Sequence, residues 1–299
     1  MKPNKLIKDD SIGIISIAGP IKRKEIEAGI QILEHYGFKI KTGLNLYNIS
    51  NFGYLAGNDK KRISDFYQMV IDKEVRGIIC SRGGYGSMRI LNHLEYNILL
   101  QNPKVFIGYS DITALLFAIN KMTNLITFHG PMVKQLASLN NEDITWLFDL
   151  LRGGKNNIYI SYANILIPGK TKGILMGGNL SIICSLIGTP FMPNYKDILL
   201  FIEDVNEPYY KIDRMLTHLK LSGFLEKVSG LILGSFKGCG QEDIINQIIY
   251  DIIKDIGFPC ISNFPIGHGN RNITIPIGIK AELNTYKKNI KFLEDPVIL

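Results

Sequence analysis

The sequence lacks any cysteine pattern that would staple the chain or bind a metal. Its four cysteines, Cys80, Cys184, Cys239 and Cys260, lie far apart and none forms a C-x-x-C pair. A 299-residue chain buries a core that needs no disulfide support, so the four read as reduced thiols. The five histidines include no H-E-x-x-H and no i, i+4 pair, which leaves a metal site without support. Apolar runs are short as well. None approaches the roughly 20 residues that cross a bilayer, and the polar start Met1-Lys2-Pro3-Asn4-Lys5 does not read as a signal peptide. The expected location is the cytoplasm, with no membrane partner. Clustered charge is the last absence. The net charge is +7, but the lysines are scattered and no zinc-finger, RNP or KH signature accompanies them. A nucleic-acid partner is therefore not expected, and the diffuse positive field is a solvated surface with a weak pull on anions.

What is present is ordinary globular material, 46% hydrophobic and 20% charged, of a length that suggests two domains. The first half alternates two periods. Ser11–Ala18 is a β-branched run ended by Gly19-Pro20, and Ile21–Tyr36 then carries helical spacing. Lys39–Thr42 reads as a strand, Asp59 as the cap of a helix to about Lys73, and Gly77–Ser81 as a third strand. Strands alternating with helices imply a mostly parallel sheet covered on both faces. A helix at Glu142–Arg152 ends this block, so residues 1–154 are expected as an N-terminal α/β domain. Residues 155–172 are polar with some β content and read as a connector. Residues 173–299 form a second block with more strand, ending in a β-hairpin.

Parallel α/β sheets bind at the carboxyl ends of their strands, and four strand ends here carry useful chemistry. Ser110 stands where K-V-F-I-G-Y-S-D-I-T turns from strand to helix. It reads either as a helix cap, a role Asp111 could share, or as a nucleophile projected on a sharp turn. R-G-G-Y-G at Arg82–Gly86 is a glycine turn before a helix. It suits a tight bend, a bound anion or a developing oxyanion, and matches neither G-x-G-x-x-G nor the P-loop. In F-I-E-D-V, Glu203 and Asp204 point to opposite strand faces, so at most one reaches a given site. His268, between two glycines, reads as a general base or as an exposed loop residue. Together a serine, an acid and a histidine could supply a nucleophile, its base and the group that orients the base.

These stretches are similar to the LD-carboxypeptidase family of serine peptidases, which includes murein tetrapeptide carboxypeptidases and microcin C self-immunity proteins. The collinear matches are I-A-G-P at Ile17–Pro20, Y-L-A-G-N-D-K-K-R at Tyr54–Arg62, R-G-G-Y-G, G-Y-S-D-I-T at Gly108–Thr113 and T-F-H-G-P at Thr127–Pro131. They continue with G-G-N-L at Gly177–Leu180, S-L-I-G-T-P at Ser185–Pro190, F-I-E-D-V-N-E at Phe201–Glu207, R-M-L at Arg214–Leu216 and G-H-G at Gly267–Gly269. The resemblance implies a flavodoxin-like N-terminal domain, a swivelling C-terminal β/α domain and a site in the cleft between them. It implies Ser110 as nucleophile, His268 as base and then acid, and Glu203 as the orienting carboxylate. The N–H groups of Gly84 and Asp111 would form the oxyanion hole. The implied reaction removes the terminal D-alanine from a small murein tetrapeptide through an acyl-enzyme, with no metal or organic cofactor. A homodimer is compatible with the resemblance, though no interface is legible. Two alternatives stand beside this reading: a hydrolase of aminoacyl-sulfamoyl adenylates, and a non-catalytic two-domain binding protein.

Overall fold

The computed structural model describes residues 1–299. Fourteen strands fall into two sheets. The first contains β1 (Ser11–Ile15), β2 (Lys39–Thr42), β3 (Val75–Cys80), β4 (Val105–Gly108), β5 (Thr127–His129) and β12 (Ile275–Ile277), in the order β12-β5-β4-β3-β1-β2. Strands β1 to β5 pair in parallel, as the alternation with helices requires, and β12 runs antiparallel on β5. The second contains β6 (Asn157–Tyr159), β7 (Asn164–Ile167), β8 (Lys170–Asn179), β9 (Ile198–Val205), β10 (Val228–Lys237), β11 (Cys260–Ser262), β13 (Ile279–Asn284) and β14 (Asn289–Phe292). Its order is β6-β14-β13-β8-β9-β10-β11-β7, with a parallel centre from β8 to β11 and antiparallel edges. The mixed α/β, two-sheet architecture is the one expected.

Sequence and packing agree in the centre of each sheet. Ile198 to Ile202 in β9 are all fully buried, as a strand covered on both faces should be. The helix Thr113–Thr123 buries nine of its eleven residues. It can do so because it follows β4 and lies in the layer between the two units, touching both β5 and the helix Leu180–Leu186.

Three local expectations change. The stretch expected as a connector supplies β6 and β7, which pair with β14 and β11 and close the two edges of the second sheet. Strand β12 lies within the second block of sequence yet joins the first sheet, with Ile275 opposite His129. The chain between β11 and β12 is thus held by one sheet at each end, and it carries His268. Finally, Asn58 rather than Asp59 caps the helix Asp59–Ile71, accepting from the Lys61 N–H at 2.9 Å. That leaves the Asp59 carboxylate free to pair with Arg62 and Arg89.

Candidate active site

A cleft of about 820 Å³ opens between the two units, lined by residues that include Gly84, Ser110, Lys134, Lys237 and His268. Ser110 ends the bend after β4 with φ of +62°. A side chain in the left-handed region costs roughly 1–2 kcal/mol, and the cost places Oγ at the cleft instead of along the helix axis. Ser110 makes no helix-capping hydrogen bond, which removes the capping reading. The carboxylate of Asp111 does cap, but another segment: it accepts the Ser87 N–H at 2.8 Å. Burial raises the Asp111 carboxyl pKa, and this bond opposes the shift.

The glycine turn comes up beside the serine. A Cβ added to Gly83 would crowd Ser110, 3.0 Å from its Cβ and 3.1 Å from Oγ, so the turn runs close against the serine. Gly84 adopts φ of +118°, and neither its N–H nor that of Asp111 donates to another group of the chain. Gly84 lines the cleft, and Asp111 directly follows Ser110, which lines it too.

On the far wall, strand alternation separates the two carboxylates. Asp204 turns back to the helix Leu180–Leu186, accepting from the Ser181 N–H at 3.0 Å and Asn179 Nδ2 at 2.9 Å. Glu203 turns the other way. It is fully buried, and its Oε2 lies 2.5 Å from His268 Nδ1. Burial pushes the Glu203 carboxyl up, while the bond to His268 pulls it back. With the carboxylate ionised, Nδ1 carries the proton and Nε2 keeps its lone pair. Gly267 has no room for a Cβ against Glu203, so its backbone packs directly on the carboxylate. The imidazole is 17% exposed and packs on the Tyr109 ring, centroids 4.8 Å apart. Ser110 and His268 face the same cleft without a direct hydrogen bond, a common looseness in unliganded sites.

Sequence reasoning did not find what holds the histidine loop. Asn272 Oδ1 accepts the Gly267 N–H at 2.9 Å, its Nδ2 donates to Gln135 at 3.0 Å, and its N–H donates to Asp143 at 3.2 Å. Arg271 is committed to Asp143 and Glu142, so it is a loop anchor and not a group facing the cleft. Apart from the local Gly267–Asn272 bond, these partners are more than 120 residues apart, and no local pattern announces them.

Below the site lies His129, fully buried between Tyr109 and Phe201, with neither ring nitrogen hydrogen-bonded. Burial, then the nearby His268, lowers its pKa to about 3. The unfolded imidazole takes a proton near its ordinary 6.5, so acid favours the unfolded chain throughout that window. Wild type should therefore lose about 1.4 kcal/mol per pH unit relative to His129→Phe as pH falls below about 6.5. Denaturant midpoints of the two proteins at pH 7 and pH 5 check this, and parallel behaviour contradicts it.

This two-sheet α/β protein thus brings a serine turn and a carboxylate-bound histidine to one cleft. Comparison with known proteins narrows the class. Residues 12–130 match the LD-carboxypeptidase N-terminal domain and residues 172–283 the LD-carboxypeptidase C-terminal domain. The chain belongs to the LD-carboxypeptidase family. It is 37% identical over 302 residues to a Bacillus subtilis (strain 168) protein named "Probable murein peptide carboxypeptidase", covering 96% of this chain and 92% of the relative. Among solved structures, the microcin C7 self-immunity protein MccF in complex with aspartyl sulfamoyl adenosine superposes with a TM-score of 0.91 at 26% identity, over 100% of both chains. The muramoyltetrapeptide carboxypeptidase of Oxalobacter formigenes gives a TM-score of 0.83 at 26% identity, over 94% of this chain and 97% of that one. The fold is the two-domain LD-carboxypeptidase fold, and membership supports a carboxypeptidase role. No helix is long and apolar enough to cross a membrane.

Proposed function

We propose that the chain is a serine LD-carboxypeptidase that removes the terminal D-alanine from murein tetrapeptides. The observation that carries this reading is the Glu203–His268 pair opening onto the cleft that also holds Ser110. In the proposed cycle His268 Nε2 takes the Ser110 proton as Oγ attacks the scissile carbonyl. Glu203 holds the imidazole in the Nδ1–H tautomer and stabilises the imidazolium. The Gly84 and Asp111 N–H groups receive the developing oxyanion. Collapse breaks the C–N bond, His268 returns the proton to the departing D-alanine amine, and the peptide stays as an ester on Ser110. Water, deprotonated by the same imidazole, then cleaves the ester and restores the serine. Every step uses groups of the chain itself, without a metal or organic cofactor.

We read residues 1–154 as the domain that carries the nucleophile and 173–299 as the domain that carries Glu203 and His268, with 155–172 adding edge strands to the second sheet and Ile275–Ile277 returning to the first. A cytoplasmic enzyme of this type, as monomer or homodimer, would act on imported wall fragments. The likeness to MccF supports a second reading, hydrolysis of an aminoacyl-sulfamoyl nucleoside. The cleft lining favours the peptide, because its aromatic ring, Tyr109, is already packed on His268. Incubating the protein with a murein tetrapeptide and, separately, with aspartyl sulfamoyl adenosine discriminates the two. The proposal expects kcat/KM at least about tenfold higher for the tetrapeptide, a difference of about 1.4 kcal/mol in transition-state binding. The reverse preference would select the second reading.

A further inference from the structure

The glycine turn that presents Gly84 is held from behind by two side chains that take no part in the proposed chemistry. Arg62 is 1% exposed. One of its terminal nitrogens donates both to Ile17 O and to Gly86 O, the latter at 2.7 Å, and the other pairs with Asp59. It thereby ties the I-A-G-P bend to the end of the glycine turn. A Cβ at Gly86 would lie 2.5 Å from the same guanidinium nitrogen, so turn and clamp are fitted to one another. At the front of the turn the Gly19 N–H donates to Gly83 O at 3.1 Å.

Ser87, the next residue and fully buried, links this turn to the nucleophile bend. Its hydroxyl donates to Asp111 O at 2.5 Å, and its N–H donates to the Asp111 carboxylate at 2.8 Å. The two unpartnered N–H groups thus belong to segments cross-linked by two bonds, both donated by Ser87 and accepted by Asp111. An oxyanion hole built from two separate loops stabilises charge only if its donors keep a fixed spacing, and a shift near 1 Å costs on the order of a hundredfold in rate.

We infer that Arg62 and Ser87 are positioning residues that set the spacing of the Gly84 and Asp111 N–H donors, an inference that rests on the Ser110 nucleophile reading. Neither touches substrate. A purely structural role would reduce the amount of folded protein. A positioning role reduces the rate of the protein that is folded.

The test uses an alkyl fluorophosphonate, which needs the nucleophile and the oxyanion hole but no knowledge of the natural substrate. Ser110 Oγ attacks phosphorus, fluoride leaves with the P–F electrons, His268 takes the proton, and the phosphoryl oxygen occupies the donors' site. The final extent of labelling counts intact sites, and the rate constant reports their geometry. Ser87→Ala and Arg62→Lys should label to the wild-type extent but about tenfold to a hundredfold more slowly. Their kcat for D-alanine release should fall in parallel, with KM within about twofold. Wild-type rate constants in both variants overturn the inference, as does a loss of labelled sites without a change in rate. Failure of the wild type to label removes the nucleophile reading itself and the inference with it.

Discussion

Ser110→Ala is expected to lower kcat by on the order of 10⁶ while the protein stays folded, by analogy with loss of a serine nucleophile that works as a unit with its base. The fold should tolerate the change because Ser110 caps nothing, and because serine and alanine pay a similar cost at φ of +62°. The same strain makes a companion expectation. Ser110→Gly relieves the left-handed conformation and should raise stability by about 1 kcal/mol while being just as inactive. Thermal midpoints measured beside kcat test the pair. A glycine variant less stable than wild type would show that the turn stores no strain.

The second large effect is expected at Glu203. Glu203→Gln keeps the size and the burial but presents an amide where a carboxylate faced Nδ1. An amide N–H offered to Nδ1 puts the ring proton on Nε2, the wrong nitrogen for taking the serine proton, and kcat should fall by about 10⁴. KM should change little, because the carboxyl is fully buried and sits behind the imidazole, away from the cleft. The backbone at Gly267 presses on the Glu203 side chain and limits where it can swing, so the loss should not be recovered by repacking. A variant with kcat within tenfold of wild type would mean that His268 is oriented by something else.

The parts of this site that were legible in sequence are the local ones. Two-residue alternation in F-I-E-D-V already said that Glu203 and Asp204 serve different faces, and the structure divides them between His268 and a helix N-terminus. The abrupt change of period around Ser110 marked a strand-to-helix corner, although its capping reading fails. The glycines of R-G-G-Y-G marked a backbone that must approach something closely, and Gly83 approaches Ser110. What could not be read is long-range partnership. Nothing in Ile275–Ile277 says that it leaves its own block to pair with β5, since an isolated apolar triplet fits either sheet. Asp143 stands in the first turn of its helix, and nothing local says that it also accepts from Arg271 and Asn272 on the loop that bears the histidine. Arg62 stood inside a quoted motif without an assigned partner, because a buried guanidinium gathers carbonyls from loops far apart in sequence. Side-chain periodicity reports which face is buried and leaves open what covers it.

The losses of activity expected above descend from the proposal that Ser110 carries out the hydrolysis of a murein tetrapeptide. The most direct measurement is D-alanine release from that peptide by wild type and by Ser110→Ala at equal folded concentration. Release by the wild type and none above background by the variant is the expected result. Release at equal rates by both proteins contradicts it.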